Sequence, residues 1–261
     1  MKSVAQIILL LLLSSAVFSQ SAVIPIVKDN VLLGGVQDGK WLTAEQIFPK
    51  MKDKSAFILI GLKENENRSL TTGTKSQYST CSDLPDIEIE KKSKSVIALG
   101  SEAKWNPVPR FPKGIAFTDK TNQKIVGDFL KSKRINAAKI KIGQSLQVDL
   151  DGDGTQETVI ATDYYETEDL ETRAAGDYSF IVLTKIINGR PTNILVDGDF
   201  FTQKGASGSP DTRSILLIAD LNGDGTMEII LRVDHQEGHW NRVYQLNENK
   251  LTKVLEVYCQ N

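Results

Sequence analysis

With 261 residues, 40% of them hydrophobic and 25% charged, the chain can bury one large core or two small ones, which excludes a disordered or collagen-like protein. The formal net charge of −2 conceals a division: residues 20–144 carry 21 Lys/Arg against 13 Asp/Glu, whereas residues 145–261 carry 9 against 20. The two halves therefore stand at +8 and −11. The acidic half argues against nucleic acid as a partner, and it asks for cations.

The first residues read as an export signal. Lys2 supplies a positive start, and Ile7, Ile8 and Leu9 to Leu13 form an apolar run that Ala16, Val17 and Phe18 extend. Val17-Phe18-Ser19 offers short or small residues at the −3 and −1 positions of a cleavage site, so residues 1–19 are expected to be a signal peptide and the mature chain to begin near Gln20. The run is short for a membrane span, and no second run of spanning length follows. The expected location is secreted or periplasmic. In that setting Cys81 and Cys259, the only cysteines, can form a bridge closing almost the whole mature chain; two buried thiols are the other arrangement.

Residues 20–112 read as a β-rich segment. Val31 to Gly35 is a strand leading into the turn Asp38-Gly39 and Trp41. Thr43-Ala44-Glu45-Gln46 fits a capping box, and Pro49 limits the helix that follows. Ala56 to Leu62, Asp86 to Glu90 and Ser95 to Leu99 are strands, while the polar stretch 63–80 reads as a long loop. Trp105-Asn106-Pro107-Val108-Pro109-Arg110-Phe111-Pro112 is a proline-stiffened connection, and a domain boundary is placed there, with 113–261 as the second domain. Residues 121–134 are the best helix of the mature chain. Ile125 with Phe129 and Val126 with Leu130 make one apolar face, expected to cover the following sheet.

Residues 145–261 contain an internal repeat, in units of about 145–213 and 214–261. Aligning Asp149 on Asp220 gives an offset of 71 at which Gly152, Asp153, Gly154, Thr155 and Glu157 meet Gly223, Asp224, Gly225, Thr226 and Glu228. Each unit reads as four short strands with an acidic loop between the first two. Expected metal ligands in the first loop are Asp149, Asp151, Asp153, the Thr155 carbonyl and Glu157. In the second they are Asp220, Asn222, Asp224, the Thr226 carbonyl and Glu228. Hard oxygen donors wrapped by a glycine turn suit Ca²⁺ better than Mg²⁺, so two calcium sites are expected. An EF-hand would need Glu at the twelfth position, where Ile160 and Leu231 stand. With one more acid, the first loop is expected to be the tighter site.

The pattern D-x-D-G-D-G-x-x-[DE] between two strands, here with Asn222 at the third position of the second loop and Glu rather than the commoner Asp as the final acid, resembles the FG-GAP/VCBS-type calcium loops of integrin-like β-propellers. The resemblance covers about half the mature chain and implies a mainly β fold with one or two helices (α+β) and blade-like four-stranded repeats. Two loops rather than a long array, and a repeat longer than a usual blade, argue against a closed seven-bladed propeller. The whole chain, with its helix and Trp-Asn-Pro connection, also resembles uncharacterised exported bacterial proteins ending in such loops.

Catalytic signals are weak. His235 and His239 miss the H-E-x-x-H spacing and are expected on an exposed inter-strand loop. Ser207-Gly208-Ser209 has no nucleophile-elbow frame. Asp163 with Glu166 and Asp234 with Glu237 recur in both units, which points to a structural role, and Trp41, Trp105 and Trp240 suit packing or the rim of a binding face. No catalytic residue is assigned. The favoured function is an exported calcium-binding, non-enzymatic binding or structural module with an unidentified protein or glycan ligand. The alternative is an exported hydrolase with structural calcium and an active site within residues 22–112.

Overall fold

The structure is a computed structural model that describes residues 22–63, 69–76, 78–79, 81, 86–90, 96–136, 139–166 and 172–260. The expected signal peptide lies outside these residues, as do positions 64–68, 77 and 80 of the expected polar loop. The protein is mainly antiparallel β, with 54% strand against 9% helix. One sheet curls into a half-barrel, and none closes into a propeller.

The first sheet contains β1 (Ile24–Lys28), β2 (Val31–Gln37), β3 (Lys40–Leu42), β4 (Lys54–Gly61), β5 (Ser69–Lys75), β6 (Ile87–Ile89) and β7 (Val96–Gly100), in the order β3-β2-β1-β7-β4-β5-β6. Helix α1 (Ala44–Ile47) interrupts it, capped by Thr43, whose N–H donates to Gln46 Oε1 at 3.0 Å. Pro49 then tightens the chain into a 3₁₀ turn, Phe48–Lys50. Strand β5 corrects the polar-loop expectation. Thr71, Thr72 and Thr74 are β-branched and half of the strand faces outward, so its polarity hid a ladder to β4 and β6.

The second sheet contains β8 (Lys113–Gly114), β9 (Ile142–Val148), β10 (Glu157–Tyr164), β12 (Tyr178–Ile187) and β13 (Arg190–Phe200), in the order β13-β12-β10-β9-β8. A small ribbon pairs β11 (Thr172–Arg173) with β14 (Ala206–Ser207). The third sheet is the meander β15 (Thr212–Ala219), β16 (Glu228–His235), β17 (Gly238–Asn247) and β18 (Lys250–Gln260). Asn188-Gly189 makes the β12–β13 turn with both residues at positive φ, as a type I′ hairpin requires. Helix α2 (Lys120–Ser132) precedes β9, and Asp119 caps it by accepting from Asn122 N at 2.9 Å.

The three sheets stack face to face, with a helix on each outer side. The first sheet places α1 and Met51 over Val27, Leu32, Phe57 and Leu59 on its outer face. Its inner face, with Ile26, Leu33 and Leu99, meets Leu217, Ile230, Val243 and Val257 of the third sheet. The opposite face of the third sheet, with Ile229, Leu231 and Val233, meets Val159, Ile181 and Leu183 of the second. Helix α2 closes the far side through Val126, Phe129 and Leu130 against Phe180 and Tyr178. The third sheet is therefore buried on both faces, which explains the unbroken runs Ile215-Leu216-Leu217-Ile218 and Ile229-Ile230-Leu231 in place of alternation. Each such side chain removed from water contributes about 1.5–3 kcal/mol before entropy is counted.

Cys81 and Cys259 form a disulfide that ties the first sheet's chain to β18. Among the described residues no helix is long and apolar enough to cross a membrane.

Candidate metal centre

The first acidic loop joins β9 to β10 in the five-stranded sheet, and the second joins β15 to β16 in the four-stranded meander. Leu150 and Leu221, the second loop residues, are fully buried and anchor each loop to a core. The loops close in matching ways. Asp149 accepts from Gly152 N at 2.7 Å and Gly154 N at 3.1 Å, and Asp220 accepts from Gly223 N at 2.7 Å and Gly225 N at 3.0 Å. Asp153 and Asp224 accept from Thr155 N and Thr226 N at 2.7 and 2.8 Å. At the base, Glu157 and Glu228 each accept the N–H of the buried leucine through Oε2 at 2.8 Å. Gly152 and Gly154, like Gly223 and Gly225, lie at φ between 77° and 88°, where a side chain is strained.

The loops differ at the other oxygen of the closing glutamate. The ladder pairs Thr158 with Thr184 and Ile229 with Tyr244, so the next residues facing Glu157 and Glu228 are Lys185 and Gln245. Lys185 Nζ lies 2.9 Å from Glu157 Oε1, 2.7 Å from Asp151 Oδ2 and 3.3 Å from Asp153 Oδ2. Burial works against its charge, but bonds to Asp151 and Glu157 outweigh that and hold its pKa above the ordinary lysine value. In the second loop Gln245 Nε2 donates to Asp224 Oδ2 at 2.8 Å and does not neutralise the site. Glu228 Oε1 is sealed from solvent and has no hydrogen-bond partner. Burial, then the neighbouring Asp224 and Asp220, push the Glu228 carboxyl up to about 9, against the Leu221 N–H that favours its charged form.

Lys185 therefore changes the comparison drawn from loop composition. Counted formally, with every carboxylate ionised, four carboxylates less one ammonium leave loop 1 at −3, the same as the three carboxylates of loop 2. Asp149, Asp151 and Asp153 do converge, with ligand oxygens within 4.8 Å of one another, but Lys185 already lies against two of them. The orphaned oxygen is in loop 2, and its donor set of two aspartates, a glutamate and an asparagine is all hard oxygen. By donor chemistry that set suits calcium, while among the described acids only Asp149, Asp151 and Asp153 of loop 1 bring ligand oxygens within 4.8 Å of one another.

The connection 101–112 has no helix or strand, yet it fastens both loops. Arg110 Nε donates to Asp149 O at 2.5 Å, and Nη2 donates to Leu150 O at 3.0 Å and Gly225 O at 2.8 Å. Trp105 Nε1 donates to Asp220 O at 2.8 Å, and a Cβ on Gly223 would stand 2.8 Å from the Trp105 ring. Trp41 Nε1 donates to Gln245 Oε1 at 3.1 Å and orients that amide toward Asp224. Two of the three tryptophans thus brace loop 2, while Trp240 packs on Tyr258. Sequence reasoning did not single out Lys185, Gln245 or the clamp by Arg110. The available signal was Lys185 itself, a lone charge at an inward register of the apolar strand Tyr178–Ile187.

The histidines do not sit on an exposed loop. His235 ends β16 and His239 lies within β17, opposite Asp234 on one side and Cys259 on the other. A His239 ring nitrogen and both bridge sulfurs lie within 4.8 Å, and His239 Nδ1 is buried without a hydrogen-bond partner. Burial and the Arg232 guanidinium hold the imidazole pKa below its ordinary value. Disulfide sulfurs are not thiolate ligands, so the bridged protein should carry no stoichiometric zinc. A His235→Ala/His239→Ala variant should keep its fold and its melting temperature; zinc in purified protein that disappears with the histidines would overturn this. Of the repeated acids, Asp234 pairs with Arg232, a local structural role, whereas Glu166 contributes only its backbone N–H, which donates to Asp177 Oδ1 at 2.9 Å.

Compared with known proteins, the chain matches no family model, no curated protein and no solved structure.

Proposed function

We propose that this protein is an exported calcium-binding module of the FG-GAP/VCBS-repeat type, secreted or periplasmic, that serves a binding or structural role without catalysing a reaction. The observation that carries the reading is Glu228 Oε1, buried and unpaired among Asp220 and Asp224. Calcium at this loop would be held by Asp220, Asn222, Asp224, the Thr226 carbonyl and Glu228, and would supply the charge that these groups lack. The chain's own contribution is orientation: Leu221 N fixes one oxygen of Glu228, Gly223 N and Gly225 N fix Asp220, and Trp105 holds the loop's backbone. The ligand of such a module is a protein or glycan rather than nucleic acid, given the −11 balance of residues 145–261.

The hydrolase alternative finds less support. The first sheet borders a cleft of about 540 Å³ whose polar lining is Lys50, Lys52, Lys54, Ser55, Ser101 and Glu102. One carboxylate among lysines does not make the acid–base pair of a glycosidase. The test of the calcium reading is thermal or urea unfolding in calcium and in chelator. A site with Kd on the order of 10⁻⁴ to 10⁻³ M should add about 0.4–1.4 kcal/mol at 1 mM calcium. Superimposable curves in the two media would refute it.

A further inference from the structure

We infer that Lys185 is the resident cation of loop 1, so that the protein binds one calcium ion, at loop 2, and holds loop 1 closed by its own ammonium group. The inference rests on the calcium reading and adds which loop takes the ion.

Three observations converge. A lysine ammonium has three N–H donors, and Lys185 Nζ has three carboxylate partners, on Asp151, Asp153 and Glu157. Those partners stand at the third, fifth and ninth loop positions, where an ion would take its oxygens. Calcium needs six to eight oxygens at 2.3–2.6 Å, and an ammonium within 2.7–3.3 Å of the same oxygens occupies that space. Second, Lys185 is not free to leave. Its side chain is 5% exposed on a central strand, and withdrawing it would strand Glu157, which is fully buried. Third, loop 2 is the internal control. It repeats every backbone bond of loop 1, but Gln245 replaces Lys185, Trp41 holds the Gln245 amide, and Glu228 Oε1 is left without the partner that Glu157 Oε1 has.

The experiment is calcium stoichiometry by isothermal titration calorimetry on the whole mature chain stripped with chelator. Wild type should bind one ion. Lys185→Gln, which copies loop 2 into loop 1, should bind two. Glu228→Gln in the wild-type background should abolish binding, an arm that does not depend on the lysine variant folding. In chelator Lys185→Gln should melt below wild type, and millimolar calcium should narrow the gap. Two ions in wild type, a single ion in folded Lys185→Gln, or one wild-type ion lost with Glu157→Gln but kept with Glu228→Gln would overturn the assignment while leaving the calcium reading intact. No binding by wild type would overturn the calcium reading itself.

Discussion

Breaking the Cys81–Cys259 bridge should produce the largest single loss of stability in this protein. The bridge spans a sequence separation of 178 residues, and on the chain-entropy model removing so long a loop constraint from the unfolded state costs about 5 kcal/mol. Cys259 is 1% exposed within the core between the first and third sheets, so the link also pins two packed layers. A Cys81→Ser/Cys259→Ser variant should still fold, because the apolar clusters remain, but its urea midpoint should fall well below that of the bridged protein. In a chain of this length the same loss lowers Tm by about 10 °C or more. A reduced protein within about 1 kcal/mol of the oxidised one would refute the account.

Asp197→Ala should be nearly as damaging. The carboxylate of Asp197 on β13 accepts from Arg213 Nε at 2.7 Å, from Arg242 Nη1 at 2.8 Å and from Tyr244 Oη at 2.6 Å. It is buried between the second and third sheets, and three donors from β15 and β17 converge on it. Removing it leaves the buried Arg213 guanidinium with one carboxylate partner, the half-exposed Asp199, and breaking a buried pair in this way costs about 3–5 kcal/mol. The same site sets an acid limit. Burial alone would raise the Asp197 pKa, but Tyr244, Arg213 and Arg242 outweigh it and hold the group below the ordinary aspartate value. A depressed carboxylate contributes its full stability above its unfolded pKa of about 3.9, and the contribution is lost as pH falls through the folded value. Unfolding free energy should therefore drop below about pH 4 in wild type and drop less steeply in Asp197→Asn. Denaturant titrations at pH 7 and pH 3 measure both effects, and a parallel decline in the two proteins would remove Asp197 from the explanation.

Much of the C-terminal half was legible in the sequence because its signals are local. Tyr178–Ile187 is an apolar run ended by Asn-Gly, α2 has apolar residues at helical spacing, and each acidic loop places oxygens and glycines at fixed intervals. What stayed hidden depends on partners distant in the chain. Strand β5 looks polar because it owes its place to ladders with β4 and β6 rather than to burial on two faces. The proline-rich connection reads as a spacer, yet Trp105 and Arg110 reach residues about 40 and 115 positions away. Loop 1 and loop 2 differ by one acid in sequence. Their chemical difference lies in Lys185 and Gln245, which only the β10–β12 and β16–β17 registers bring opposite the closing glutamates.

The stacking order of the sheets differs from the order in which they are encoded. Strands β15–β18 are the last four among the described residues, yet their sheet lies in the middle. During synthesis the earlier sheets emerge with bare apolar faces, Ile26, Leu33 and Leu99 on one and Val159, Ile181 and Leu183 on the other. Neither face has a native partner until residues 212–260 arrive to form the wall common to both. Such exposed sheet faces are prone to aggregate until that late stage. A stop anywhere within β15–β18 would weaken the packing of both earlier sheets at once.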